Sequence, residues 1–318
     1  MLLLREKDVL RLLSMKEAIS VVREAFVGLA SGAAQNHARR RLSLPSGAVL
    51  HSLAGAIGNY FGTKIYSTHP KHGAHFLVML YDGATGRPLA IIEANHLGQI
   101  RTGAASGVAT DLLAVPDADR VGVIGSGFQA RTQLEAVLAV RFVQRVKVWS
   151  RDPDKRERFA RQCTQDFGVQ VEAASSAQQA VEDAGIVVTA TFAKDPVLES
   201  AWVSSGAHIN AIGSNNPQRR EIPVELLERA AVVAVDSLEQ ARLESGDLLL
   251  AWPPETWAAR NVVELQQVAA RKAGRTDRGQ VTVFKSNGLG VQDVAVAASV
   301  YERAIRAGAG QALALMGA

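Results

Sequence analysis

From residue 14 onward the apolar positions Ala18, Val21, Val22, Ala25, Phe26 and Leu29 recur at the three- and four-residue spacing of one helical face. Ser14-Met15-Lys16-Glu17 ahead of them is a capping-box pattern and Gly32 a stop, so an amphipathic helix is predicted first. Between 40 and 92 the period changes. Apolar runs at 41–44, 49–53, 60–66, 74–81 and 89–93, the last two joined by Asp82-Gly83-Ala84-Thr85-Gly86, predict strands of an antiparallel, mixed domain. From 120 to 235 strands and helices alternate, with strands at Val121, Val146, 186–191, 208–212 and 232–235, which predicts parallel crossovers. A last strand and glycine loop are expected over 281–290, and then a helix over 292–307 that returns to the first domain. The expected fold is therefore α/β: a doubly wound parallel-sheet domain over 116–291, and a mixed α+β domain formed by both chain ends, 1–115 and 292–318.

One stretch carries chemistry as well as structure. Val121-Gly122-Val123-Ile124-Gly125-Ser126-Gly127-Phe128-Gln129-Ala130 is an apolar strand running into a glycine turn and a helix, the Rossmann dinucleotide-binding pattern. Gly125 suits the tight turn, Gly127 lets backbone approach a pyrophosphate, and Ala130 replaces the third glycine where helix meets strand. The helix N-terminus then offers N–H groups to the anion. The next strand, ending at Trp149, arrives at the expected distance of roughly 20 residues and should finish beside the adenosine ribose. There the chain carries Ser150 and Arg151. A hydroxyl and a guanidinium suit a 2′-phosphate where a carboxylate would hold the two ribose hydroxyls of NAD, so NADPH is the expected cofactor and NADH the less favoured one. The competing reading makes Arg151 a solvated turn residue and Asp152 the ribose acid. Asp152, followed by Pro153, fits better as the N-cap of the next helix.

Composition narrows the class. The chain has 318 residues, enough for two domains, and its net charge of +4 is spread among mixed acids and bases, so nucleic acid is not an expected partner. Met1-Leu2-Leu3-Leu4 gives way at once to Arg5-Glu6-Lys7-Asp8, and no signal peptide or membrane span is expected. The single Cys163 in a helical pattern reads as a buried apolar residue, and together these features suit a cytoplasmic protein.

Outside the glycine turn, three cations stand out. Arg41 ends an Arg39-Arg40-Arg41 run and by itself reads as surface charge. Lys64 lies among Tyr60, Phe61, Ile65 and Tyr66, which suggests partial burial, and buried lysines are paired or functional. Arg101 opens Arg101-Thr102-Gly103-Ala104-Ala105-Ser106-Gly107, a helix of small residues suited to close backbone approach. His69, His72 and His75 have metal-like spacing, but Pro70 and Gly73 break any helix that would align them, and no metal is expected. His51 is a candidate auxiliary acid or base, or a satisfied structural histidine. Asp236 and Ser237 end the strand at 231–235, where ligands of such sheets gather.

Taken together, Gly62-Thr63-Lys64-Ile65-Tyr66, Ile100-Arg101-Thr102-Gly103-Ala104-Ala105-Ser106, the glycine turn, Thr189-Ala190-Thr191 and Phe284-Lys285-Ser286 with Gly288 and Asp293 resemble the ornithine cyclodeaminase and mu-crystallin family along essentially the whole chain. The resemblance implies a Rossmann domain flanked by a substrate and dimerisation domain built from both chain ends, and a homodimer. It implies that Arg41, Lys64 and Arg101 hold an amino- or imino-acid substrate by its carboxylate and reacting nitrogen, and that Thr102 reaches the cofactor phosphates. It brings Thr189, Ala190 and Thr191 to the cofactor, and leaves Lys285 and Asp293 without a role.

Departures from the family pattern bear on the reaction. Cyclodeaminase members carry an aspartate in a Gly-Gly-Asp-x-Pro pattern after the fifth Rossmann strand, where this chain has Gly213-Ser214-Asn215-Asn216-Pro217. Asn215 can bind substrate but takes no proton. The glutamate those members carry after Gly47 is also missing, with Leu50 and His51 in its place. Reduction needs less: a hydride acceptor carbon and a proton for nitrogen, which Lys64 can supply if burial and the arginines lower its pKa. The expected activity is thus NADPH-dependent reduction of a cyclic ketimine carboxylate, pyrroline-2-carboxylate or piperideine-2-carboxylate, to proline or pipecolate. The alternatives are an open-chain amino-acid or N-alkyl-amino-acid dehydrogenase, an ornithine cyclodeaminase, and a crystallin-like binding protein without turnover.

Overall fold

The computed structural model describes residues 1–314; positions 315–318, the end of the expected first domain, lie outside the described residues. A short strand β1 (Leu2–Leu4) and helix α1 (Glu6–Leu12) precede α2 (Met15–Ser31). Both halves of the capping box form: Ser14 Oγ accepts from Glu17 N, and the Glu17 carboxylate accepts from Ser14 N at 3.0 Å. Gly32, at φ 78°, ends the helix in the left-handed region that favours glycine. Five strands follow, β2 (Ala34–Ser43), β3 (Val49–Ile57), β4 (Tyr60–His69), β5 (Gly73–Asp82) and β6 (Pro88–Glu93), and then helix α3 (Asn95–Leu113). β2 begins well before the apolar run at 41–44, because Gln35, Asn36 and His37 carry no hydrophobic alternation and only their pairing with β3 defines them as strand.

The alternating region builds β7 (Arg120–Ile124), α4 (Phe128–Val140), β8 (Arg145–Trp149), α5 (Pro153–Phe167), β9 (Val171–Ala173), α6 (Ala177–Val181), β10 (Ile186–Thr189) and β11 (His208–Ala211). It continues with α7 (Val224–Arg229), β12 (Ala230–Val235), α8 (Leu238–Glu244), α9 (Gly246–Leu249), β13 (Val262–Glu264), α10 (Leu265–Ala269) and β14 (Val281–Lys285). All eight strands are parallel, in the order β13-β12-β14-β11-β10-β7-β8-β9. Strand order reverses between β7 and β10, the switch point at which such sheets bind nucleotides. Alternate residues of each strand enter two different cores, Val121, Val123, Val146 and Val148 on one face and Val187, Ile209, Val233 and Val283 on the other. That two-sided burial is why these strands read as unbroken apolar runs. Two expected strands are shortened, the one at 186–191 stopping at Thr189 and the one at 208–212 at Ala211.

The chain ends with α11 (Gly290–Ala307) and β15 (Gln311–Ala312). It divides into two compact units, one from Met1–Arg101 together with the chain from Gly288 onward, the other Thr102–Asn287. The border falls inside α3 instead of at 115/116, because the second half of that helix is tied to the parallel-sheet unit: Asn210 Nδ2 donates to Thr110 Oγ1 at 2.8 Å, and Arg141 to the carbonyls of Thr110, Asp111 and Ala114. The first unit has a seven-stranded mixed sheet, β15-β1-β6-β5-β4-β3-β2, with α11 laid across β2 to β5 and α2 packed on α11. Gly55 and Gly290 make that approach possible, since a Cβ on Gly55 would lie 2.4 Å from Val291 N. The other sheet face carries the cross-strand pairs Leu42–Leu50 and Ile65–Leu77, all of them exposed in the single chain.

Candidate active site

In the parallel-sheet unit the glycine turn is built by backbone geometry. Gly125 sits at φ 117°, and any Cβ there would meet Ala190 O at 2.4 Å. Gly127 is the N-cap of α4, with no side-chain cap hydrogen bond and open space where a Cβ would be, an arrangement that lets an anion approach the helix start. The turn opens on a cavity of about 950 Å³ lined by Ser126, Ser150, Arg151, Asp152, Lys155 and Thr191 among others. Ser126 Oγ and Ser150 Oγ are 2.8 Å apart, which ties the phosphate turn to the ribose edge. Asp152 does cap α5, accepting from Lys155 N at 3.0 Å, and Pro153 occupies the first turn. Lys155, which no local motif singles out, adds a second cation to the wall that holds Arg151. The residues present fit a dinucleotide: a glycine turn, a helix start without a side-chain cap and a cavity of the right size.

The remaining residues assigned to this cofactor divide. Ala190 and Thr191 line the cavity, whereas the Thr189 hydroxyl is fully buried and donates to Glu221 Oε2 at 3.0 Å. Ser237 is the N-cap of α8, accepting from Gln240 N, and buried Asp236 accepts from Asn287 N. Phe128 and Gln129 open α4 and Ala130 is buried in its core, while Thr102 follows Arg101 within α3. Asn215 lies exposed in the loop after β11.

In the mixed-sheet unit two cations meet on one carboxylate and a third lies beside them. Lys64 Nζ on β4 is 3.1 Å from Asp293 Oδ1, and Arg101 Nε is 2.9 Å from the same oxygen. Arg101 also donates to Gln292 Oε1 at 3.1 Å, and its guanidinium lies against Gly288, where a Cβ would come within 2.2 Å of Nη1. Asp293 is fully buried, and among the described residues its Oδ2 accepts no hydrogen bond. Burial first, then the charge of Arg101, pull the Lys64 ammonium down to about 7, against Asp293, which holds it up. The third cation is Arg39: it is buried beside this group, donates to Gly288 O at 3.4 Å, and also lowers Lys64. Arg41 is exposed, two residues further on and opposite His51. The register shift in β2 between His37 and Arg40 separates the three arginines, and no apolar period reveals it in the sequence.

His51 and Tyr66 stack at 4.2 Å, Tyr66 and Phe76 follow at 4.9 Å, and Lys64 Nζ lies 5.5 Å from the Tyr66 ring and 5.6 Å from that of Phe76. These rings form a face-to-face stack beside the ammonium. Burial, then the charges of Arg41, Arg39 and Lys64, hold His51 down to about 4, so at neutral pH it is an uncharged ring and not an acid. No group of three His, Cys, Asp or Glu among the described residues could hold a metal, and His69 accepts from Lys71 N. Cys163 is buried, and burial pushes its thiol up to about 11. No helix among the described residues is long and apolar enough to cross a membrane.

A dinucleotide cradle on a doubly wound sheet, with a buried lysine among arginines on a second unit, defines the class: an NAD(P)H-dependent oxidoreductase acting on carbon–nitrogen bonds. Residues 1–308 match the family described as ornithine cyclodeaminase/mu-crystallin, and the chain belongs to that family. It is 41% identical over 237 residues to a Delta(1)-pyrroline-2-carboxylate reductase of Bacillus cereus, covering 74% of this chain and 73% of that one. Its fold is similar to that of Thermococcus litoralis Delta(1)-pyrroline-2-carboxylate reductase in complex with NADH and L-proline, with TM-score 0.92 and 32% identity over 98% of this chain and 100% of that one. An archaeal alanine dehydrogenase dimer with bound NAD is similar as well, with TM-score 0.92 and 33% identity over 99% of both chains.

Proposed function

We infer that the protein reduces a cyclic ketimine carboxylate of the pyrroline-2-carboxylate or piperideine-2-carboxylate kind to the cyclic amino acid, with NADPH as reductant. The observation that carries this reading is Lys64, buried with its ammonium pulled to about 7 and held against Asp293. At that pKa the lysine is protonated often enough to donate and weakly enough bound to let the proton go. Arg39, Arg41 and Arg101 supply charge for the substrate carboxylate; a guanidinium fork binds a carboxylate through two parallel bonds and so fixes which ring face is presented. The reduced nicotinamide, when bound, supplies a hydride to the imine carbon. Lys64 gives its proton to the imine nitrogen, so the C=N bond becomes CH–NH and the lysine is left neutral. A diamino acid would need a further carboxylate, and Asn215 stands where cyclodeaminase members carry one.

Arg151 and Lys155 on the ribose edge favour the 2′-phosphate of NADPH, although both similar structures named above hold NAD or NADH. The buried reduced thiol of Cys163 agrees with a cytoplasmic setting. The open apolar face of Leu42, Leu50, Ile65 and Leu77 is assigned to a second copy of this chain, in line with the dimeric alanine dehydrogenase; a monomer in sedimentation equilibrium would refute that.

The test follows nicotinamide absorbance with pyrroline-2-carboxylate or piperideine-2-carboxylate and either reduced cofactor, beside pyruvate with ammonia and beside ornithine. Consumption of NADPH with a cyclic imine, at a kcat/KM above that for NADH, is the expected result. Turnover confined to pyruvate and ammonia, or ammonia release from ornithine without net cofactor change, overturns the reading.

A further inference from the structure

A second buried cluster of ionisable groups lies wholly inside the parallel-sheet unit. Lys285 ends β14, where it continues the apolar row of Val281 and Val283, and it is fully buried. Its Nζ lies 3.1 Å from Asp247 Oδ2 and donates to Ser214 O at 2.6 Å. Asp247 Oδ1 accepts from Glu221 N and Ile222 N at 2.6 and 2.9 Å. The Glu221 carboxylate accepts from Thr191 N, Thr191 Oγ1 and Gly213 N, each at 2.7 Å, and from the Thr189 hydroxyl. Glu221 and Asp247 are as thoroughly buried as the lysine.

Apart from Ala211 O at the end of β11 and Ile222 N, the groups these side chains hold belong to two loops. One leaves β10 at Thr189, and the other leaves β11 and runs from Gly213 to Glu221 with Asn215 near its tip. The second loop is gripped at its start through Gly213 N and Ser214 O and at its end through Glu221 N, and it rests on Gly246, where a Cβ would lie 2.6 Å from Asn216 O. In a doubly wound sheet the adenosine lies on the β8 side of the switch point, so the loops after β10 and β11 receive the nicotinamide half. Burying three ionisable groups is costly, and an apolar core would hold the sheet as well. What apolar residues cannot do is hold loop carbonyls and N–H groups in fixed directions.

We propose that Glu221, Asp247 and Lys285 are positioning residues, a buried clamp that sets the loops after β10 and β11 where the nicotinamide ring docks. The inference rests on the nicotinamide-dependent reading above and on no particular imine. The test therefore reads cofactor without substrate: nicotinamide emission of bound NADPH or NADH, beside the affinity of ADP-ribose, which lacks the nicotinamide ring. Lys285→Met alone leaves Asp247 uncompensated, so the variant used is the neutral pair Lys285→Met with Asp247→Asn, with Glu221→Gln measured in parallel. The clamp predicts a folded protein that binds ADP-ribose within about twofold of the parent and binds reduced cofactor about tenfold more weakly, with the emission change diminished. If the pair does not fold, Glu221→Gln decides by the same readouts. Emission and affinity equal to the parent's overturn the proposal, as does ADP-ribose affinity falling in step with that of reduced cofactor. Absence of turnover with every imine would strike the proposed reaction and leave this result standing.

Discussion

Two buried lysine–aspartate pairs of the same length stand in the two units, Lys64–Asp293 and Lys285–Asp247, each at 3.1 Å. Around Lys285, Asp247 Oδ1 accepts from two backbone N–H groups and the ammonium donates to two carbonyls, while Asp247 Oδ2 faces the ammonium alone among the described residues. Around Lys64 the company is side chains: one oxygen of Asp293 is shared by Lys64 and Arg101, and Arg39 adds further positive charge. A pair tied to backbone on both sides holds a shape. The Lys64 cluster instead sets three cations around or beside one carboxylate, and its lysine is the group proposed to give up a proton. The same two residue types thus stand in different company, backbone groups at Lys285 and further cations at Lys64.

The contrast breaks most sharply at Lys64. Lys64→Met should lower turnover by about a thousandfold or more, the range of a lost general acid, while reduced cofactor still binds, because the cradle belongs to the other unit. Turnover within about tenfold of the parent in steady-state assays would remove Lys64 from the chemistry. Asp293→Asn should do less. Lys64 must be protonated to donate, so imine reduction falls as pH rises through its pKa of about 7. Asp293 raises that value, and its loss should carry the falling limb down by about one pH unit: about tenfold slower near pH 8, little changed near pH 5. A pH–rate profile lying where the parent's lies would show that Asp293 does not hold the proton on Lys64.

Much of the nucleotide site is legible in the order of residues along the chain. Gly125, Gly127 and Ala130 act through local backbone geometry, and Asp152-Pro153 through a cap, so neighbours in sequence are neighbours in space. The mixed sheet is legible as strands where its residues alternate, and illegible over 34–40, where polar residues pair only because β3 lies beside them. Lys64 and Arg101 stand out by their apolar or small-residue surroundings. Arg39 cannot be told from Arg41 in the same way, since the shift that buries one and exposes the other is a property of strand pairing.

The sequence by itself determined the two-part α/β plan, the glycine turn and the identity of two of the cations, because periodicity, turns and caps are written within a few adjacent residues. Only the tertiary structure decided that Arg39 lies beside them, that Asp293, 229 residues from Lys64, raises its proton affinity against burial and Arg101, and that Glu221, Asp247 and Lys285 meet at all. Burial and charge coupling fall off with distance through space, and distance along the chain says nothing of them.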